Sequence, residues 1–337
     1  MSELSLTLEA EARELALAKP FAIATKTYTT AYNVFVRLRY GGQVGIGEAS
    51  PEDRSGESVD SVLAALRGLD LSRLNGPFDL EGIAALLPPG SARCALDIAA
   101  HDLAAKLAGV SLAEYLGVAG RTPSPTSVTI PIGSPEEMIA EARGFADFPV
   151  VKVKVGFPGD VDAVAGLREV FGGAIRIDAN EGWSPDEAVA ALRAMEPLDI
   201  ELCEQPILRG NLDELRTVTQ ATSIPIFADE DVETSKDVAL LAGRVDGVNL
   251  KLRKTGGIRE AIRAVAVARS LGMSTMIGCD LVSGVSASAE AVVACFCDHC
   301  DIDGPLLLAE DPFPGVTYSK GLVTLPTGPG LGTRGDG

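Results

Sequence analysis

Positive charge is scarce in this chain. Against 47 acidic residues stand 29 lysines and arginines, a formal net charge of −18 over 337 residues. A surface of that sign repels polyphosphate and anionic lipid, which excludes nucleic acid and membrane as partners and leaves small molecules. Cysteine is sparse as well. The six, at positions 94, 203, 279, 295, 297 and 300, are too irregular for a disulfide scaffold and read as free thiols of a cytoplasmic protein. Histidine is nearly missing: His101 lies at helical spacing in DIAAHDLAAK and reads as structural. His299 belongs to CFCDHC, whose thiols and imidazole raise a zinc site but lack the paired C-x2-C spacing, so thiols at a helix end are the simpler reading. No stretch reaches the roughly 18 to 20 apolar residues of a membrane span. The opening MSELSLTLEAEARELALAKP carries acids where a signal peptide has a basic start.

Apolar residues are plentiful, at 46%, enough for a sizeable core and for one large α/β barrel with additions or two domains. From about Thr126 the chain repeats a short apolar run, a turn and a helical pattern. The runs are TSVTIPIG, VVKVKVG, AIRIDAN, IELCEQP, IPIFADE, GVNLKLRK, STMIGCD and DGPLLL. Stretches such as SPEEMIAEARGFADF and SPDEAVAALRAMEP lie between them, opening on Ser, Asn or Asp caps with acids in the first turn. Eight strands and seven helices predict a parallel barrel closed by its last strand. An open doubly wound sheet is the structural rival, and it lacks the G-x-G-x-x-G of the nucleotide-binding version. The expected organisation is an α+β capping domain over residues 1–125, a modified TIM barrel of the (β/α)7β type over 126–309, and a tail over 310–337 that packs back on the cap.

Charges collect where those strands end, which is where barrels of this kind place catalytic groups. Lys152 and Lys154 of VKVKVG share one face of their strand, because strand side chains alternate with a period of two. The next strands end in Asp178 and Asn180, in Glu204, in Asp229 and Glu230, and then in Lys251. One carboxylate from each of three adjacent strands suits a hard divalent cation with oxygen ligands, and Mg²⁺ fits best. Lys154 and Lys251 would flank what the metal holds. Burial beside other cations is expected to lower their pKa toward that of a working base, and two bases facing one carbon imply proton removal and return.

With these motifs the chain resembles the enolase superfamily, its muconate-lactonizing subgroup, and within that the dipeptide epimerases of the L-Ala-D/L-Glu type. The resemblance runs nearly end to end through GIGEAS, ALDIAAHDLAAK, KVKVG, RIDANEGW, ELCEQP, PIFADED, VNLKLRKTGGI, DIDGPLLL and LPTGPGLG. It implies Asp178, Glu204 and Asp229 as Mg²⁺ ligands, and Lys154 and Lys251 as the acid/base pair. Lys152 would stabilise charge on the substrate carboxylate, with Asn180 and Glu230 in support. Thr129 matches a substrate-contact position. Asp301 and Asp303 resemble the clamp for the ammonium of a dipeptide's N-terminal residue. The implied reaction is a 1,1-proton transfer through an enediolate that inverts the α-carbon of the C-terminal residue.

Two substrate-facing stretches depart from the family. Lys26 stands where its Ala-Glu enzymes carry an arginine, keeping the charge but not the two-pronged geometry. Cys279, Asp280 and Leu281 replace the more familiar Ser-Met-Ile type of sequence, and Asp280 is expected either to meet a cationic substrate side chain or to neutralise Lys26. Other subgroup reactions stay open as alternatives: N-acylamino acid racemisation, o-succinylbenzoate synthesis and cycloisomerisation. So do a Schiff-base barrel with a nucleophilic lysine, a non-catalytic ligand-binding barrel and a homo-oligomeric state.

Overall fold

A computed structural model describes residues 5–23 and 26–335, so Ala24 and Thr25 of the KPFAIATKT segment lie outside it. Three antiparallel strands come first: β1 (Thr7–Ile23), β2 (Lys26–Tyr40) and β3 (Gln43–Ala49), paired in that order. The helix Ser91–Ala108 lies directly on this sheet, and GIGEAS explains how it comes so close. A Cβ on Gly45 would sit 2.0 Å from the Ala99 carbonyl oxygen, and one on Gly47 would sit 1.9 Å from that of Ala95. Only glycine lets the sheet and the helix backbone touch there.

Eight parallel strands follow in sequence order: β4 (Val128–Ile130), β5 (Val150–Lys154), β6 (Ala174–Asp178), β7 (Ile200–Glu204), β8 (Ile226–Ala228), β9 (Gly247–Lys251), β10 (Ser274–Gly278) and β11 (His299–Asp301). Each connection is helical. Those at 135–144 and 185–195 begin as the sequence suggests, with Ser134 paired to Glu137 and Ser184 to Glu187 in capping boxes and proline in the first turn. Every residue of β5 is buried; Val151 and Val153 join the hydrophobic core while the two lysines alternate with them.

The eighth strand is a correction. DGPLLL was expected to form it, but the strand is His299–Asp301 and Gly304–Leu307 is a turn of 3-10 helix. Pro305 cannot donate to a ladder, so the strand ends before it. β11 meets β4 through a single parallel bridge, Thr126 with Cys300, reinforced by side chains. Ser127 Oγ donates to Asp301 Oδ1 at 2.5 Å, the Ile302 amide to Thr126 Oγ1 at 2.8 Å, and the Thr129 amide to Asp303 Oδ2 at 2.8 Å.

The tail touches both units. The Leu331 amide donates to Asp102 of the long cap helix at 2.7 Å, and Leu112 to the Gly330 carbonyl at 2.7 Å. A short hairpin, β12 (Thr317–Ser319) with β13 (Leu322–Thr324), lies at the barrel seam, where the Thr126 amide donates to Gly321. Cap and barrel are also joined by the fully buried Glu48 of β3. Its carboxylate accepts from the Ser283 amide and hydroxyl at 2.9 and 2.8 Å and from Asn33 at 2.7 Å. No helix among the described residues is long and apolar enough to cross a membrane.

Candidate active site

Parallel register brings the charged strand ends level. Lys154 pairs with Asp178 across β5 and β6, Asp178 with Glu204 across β6 and β7, and Lys251 with Gly278 and then Asp301 across β9, β10 and β11. Lys152, Lys154, Asp229, Lys251 and Asp301 line one cavity of about 620 Å³ between barrel and cap, together with Lys26, Tyr28, Ser55 and Leu281, whereas Asp178 and Glu204 are not part of its wall. Lys154 Nζ donates to Asp178 Oδ2 at 2.7 Å and to Asn180 Oδ1 at 2.8 Å. Lys152 Nζ lies 2.8 Å from Asp301 Oδ2, 2.8 Å from Glu204 Oε2 and 3.0 Å from Asp178 Oδ2. Lys251 Nζ stands 3.1 Å from Asp229 Oδ2. Asn180 and Gln205, just beyond two of the acid-bearing strands, hold positive φ of 44° and 33°. Backbone that costly for a side-chain-bearing residue persists only where its surroundings hold it. Here the Asn180 amide donates to Asp178 Oδ1 and the Asp229 amide to Gln205 Oε1, at 2.9 and 3.0 Å.

The electrostatics follow from crowding. Burial raises Asp178, but Lys152 and Lys154 overcome it and bring its pKa to about 2. Glu204 is pushed up to about 8 by burial and by the charge of Asp178. Burial and Asp229 together lift Glu230 to about 7. The expectation of depressed lysines is corrected for Lys251. Burial pulls it down, yet Asp229, Asp280 and Glu204 outweigh that and hold its ammonium well above the ordinary range. Lys152 is raised in the same way by Asp178, Asp301 and Glu204. Acids, not other cations, are the closest neighbours of both.

The trio Asp178, Glu204 and Asp229 suits a hard cation in donor chemistry, since every donor it offers is a carboxylate oxygen. Glu204 Oε2 is sealed from solvent and, among the described residues, takes no aligned hydrogen bond, with Lys152 Nζ 2.8 Å away. Among the described residues no three acids, thiols or imidazoles converge on one point; Lys152 bridges Asp178 and Glu204, and Lys254 Nζ holds Asp229 Oδ1 at 2.5 Å. A divalent cation there competes with the ammonium groups of Lys152, Lys154, Lys251 and Lys254 for the same oxygens. The CFCDHC thiols make no cluster. Cys295 faces the carbonyls of Ala291 and Arg121 while His299 packs edge-on against Phe227 and contacts Arg176. His101 is buried against Asp97.

One of the two roles expected of Asp280 is excluded. Lys26 is paired with Asp53 at 3.0 Å at the exposed mouth, so Asp280 does not neutralise it. Asp280 instead holds Arg253, Nε to Oδ2 at 3.0 Å. Cys279 lies against Asp303, its Sγ 3.7 Å from Oδ1, and Leu281 offers its carbonyl to Asn33 at 2.9 Å. Sequence reasoning passed over Arg253 and Lys254, although both stand in LKLRK beside Lys251. A one-turn helix, Leu252–Thr255, folds them back over the rim. It also passed over Arg54, which reaches from the cap to Glu181 and Glu230 at 3.5 and 3.6 Å.

Two family models cover most of the chain: the mandelate racemase / muconate lactonizing enzyme N-terminal domain over residues 6–117 and the enolase C-terminal domain-like family over 136–336. An L-Ala-D/L-Glu epimerase of Bacteroides thetaiotaomicron is 37% identical over 327 residues, 95% of this chain and 85% of that protein. The chain belongs to the dipeptide epimerase family of the enolase superfamily. Family members of other preference are nearly as similar: a hydrophobic dipeptide epimerase of Roseobacter litoralis is 36% identical, covering 91% of this chain and 92% of its own. The dipeptide epimerase of Cytophaga hutchinsonii, solved with Mg and D-Ala-L-Val, superposes with a TM-score of 0.92 at 32% identity over 99% of this chain and 96% of that one. As an epimerase-family barrel, the fold carries Asp178 and Glu204 as the last residues of β6 and β7, Asp229 immediately after β8, and its lysines on the flanking strands β5 and β9.

Proposed function

We propose that this isomerase inverts the α-carbon of the C-terminal residue of a dipeptide, with Lys154 and Lys251 as the two proton carriers and Mg²⁺ held by Asp178, Glu204 and Asp229. One observation carries the reading. The two lysines approach from β5 and β9, and each is anchored to an outer member of the same acid trio, Asp178 or Asp229, so a group seated on the trio lies between them. Bound Mg²⁺ supplies a Lewis acid for the substrate's terminal carboxylate. Around it, one lysine takes the α-proton as an amine while the other, as an ammonium, delivers a proton to the opposite face. Lys152 lies beside Asp178 and Glu204 and is placed to stabilise the negative charge that develops on the substrate carboxylate.

Asp301 and Asp303 would receive the ammonium of the N-terminal residue. Both Asp301 oxygens are engaged, by Ser127 and Lys152, whereas Asp303 Oδ1 accepts a long contact of 3.7 Å from the Cys279 thiol. Asp303 is thus the freer acceptor. The deciding experiment incubates the protein with Mg²⁺ and L,L dipeptides in D₂O. Epimerised product gains one deuterium at the inverted carbon, and chelation of Mg²⁺ stops the exchange until the metal is restored. Absence of exchange with every dipeptide would refute the reading, and borohydride trapping of a lysine adduct would favour the Schiff-base alternative.

A pH dependence follows from Asp303. Burial and the charge of Asp301 raise its pKa to about 6. Below that value it takes up a proton and loses its attraction for an ammonium, so KM for the dipeptide is expected to rise as pH falls through about 6. Stability runs the other way. A carboxyl whose folded pKa exceeds its unfolded value contributes stability at low pH that is lost as pH rises through the folded pKa. Asp303→Asn is therefore expected to raise the unfolding midpoint at pH 8 while raising KM. Calorimetric melts and steady-state kinetics across pH 5 to 8 check both, and a KM flat over that span would remove Asp303 from the ammonium site.

A further inference from the structure

With the dipeptide reading as its premise, the fate of the substrate's side chain can be traced. Three directions from the α-carbon are assigned: its carboxylate to the acids of β6, β7 and β8, its peptide nitrogen toward Asp301 and Asp303, and its proton to a lysine. The remaining direction faces the cap, where Arg253, Asp280 and Ser55 meet in the cavity wall. Arg253 follows Lys251 by two residues, and Asp280 follows the end of β10 by two. Since β9 and β10 pair Lys251 with Gly278, the guanidinium and carboxylate stand side by side on the rim just beyond Lys251.

The bonding of this pair is incomplete. Arg253 gives Nε to Asp280 Oδ2 at 3.0 Å and Nη1 to Ser55 Oγ at 3.1 Å. Among the described residues nothing accepts from Nη2, and Asp280 Oδ1 accepts from nothing. Both side chains keep a share of open surface, 10% for Arg253 and 16% for Asp280. A free donor beside a free acceptor, on groups of opposite charge, makes a selective wall.

We infer that the Arg253–Asp280 pair reads the side chain of the epimerised residue and selects a neutral carboxamide, that of glutamine or asparagine. The amide oxygen accepts from Arg253 and the amide nitrogen donates to Asp280. A side-chain carboxylate sets its second oxygen against Asp280, an ammonium meets Arg253, and an alkyl chain leaves both polar groups dry and unpaired. Lys26 does not alter the balance, because it is already paired with Asp53 at the exposed mouth. A site built to hydrogen-bond a polar group rejects analogues that lack it far more strongly than an apolar pocket rejects one of the wrong size.

The test measures kcat/KM on the Mg²⁺-loaded protein for L-Ala-L-Gln, L-Ala-L-Glu, L-Ala-L-Lys and L-Ala-L-Leu. Glutamine is expected to lead each of the others by about tenfold or more. In Asp280→Asn the Gln-to-Glu ratio is expected to fall by about tenfold, as the repulsion is removed, and in Arg253→Met the preference moves toward leucine. Equal or faster turnover of Glu, Lys or Leu by the unmodified protein overturns the inference. So does an unchanged Gln-to-Glu ratio in Asp280→Asn. If no dipeptide is turned over, the proposed function fails, and calorimetric binding of the same four compounds still decides here: tightest binding of L-Ala-L-Gln supports the assignment, and any other order overturns it.

Discussion

Alanine at position 154 or at position 251 is expected to abolish epimerisation, lowering kcat by at least about 10⁴-fold. General acid–base catalysis by one positioned group is worth about 10² to 10⁴. In a 1,1-proton transfer both groups act in every turnover, since a carbon stripped on one face must be reprotonated on the other. Losing either one therefore blocks the full reaction and leaves half of it. Each single variant is expected to retain α-proton exchange with deuterium for one stereoisomer only, and the two variants are expected to retain opposite ones. Stereochemically resolved mass spectrometry in D₂O distinguishes this from general damage to the site. The anchoring distances make the variants informative: Asp178 keeps Lys152 at 3.0 Å when Lys154 is removed, and Asp229 keeps Lys254 when Lys251 is removed. Neither acid is left as a lone buried charge. Full epimerisation by either variant would refute the assignment of the two lysines.

The second large effect lies far from the chemistry. Gly47→Ala is expected to destabilise the protein by about 3 kcal/mol or more, at the upper end of overpacking penalties. The added carbon would stand 1.9 Å from the Ala95 carbonyl oxygen and 2.8 Å from the Ala99 nitrogen. Both are backbone atoms in the middle of a buried helix, so no rotamer change relieves the contact and the helix must lift off the sheet. Glu48, the next residue, would be displaced with it and would lose its grip on Ser283 at the barrel. The variant is expected to melt about 5 °C or more below the parent; an unchanged melting temperature would show that the interface yields more readily than its geometry implies.

The barrel and its acid-bearing rim were legible because they depend on short-range pattern. VKVKVG, RIDAN and ELCEQ announce buried strands by their β-branched and apolar residues, and a period of two sends Lys152 and Lys154 into one space. Three matters were not legible. The last strand was displaced from DGPLLL to HCD because its limits are set by a seam with β4, a partner some 170 positions away in the chain. The partner of Asp280 was misjudged because the turn that folds Arg253 back over the rim is four residues long, too short to leave a periodic signal. The direction of the Lys251 shift was misjudged because it depends on how many acids crowd one ammonium, which only packing reveals. Glu48 could have been found: a lone acid in GIGEAS, between glycines and buried positions, needs a partner that the cap alone does not supply.

The ring of strands is sewn shut by the two acids proposed to greet the substrate, Asp301 through Ser127 and Asp303 through the Thr129 amide. Whatever docks against those carboxylates also bears on the weakest stitch of the cylinder. Occupancy and cohesion are then coupled by mass action: a guest that fits helps to lace its host, and an empty host opens first along that line.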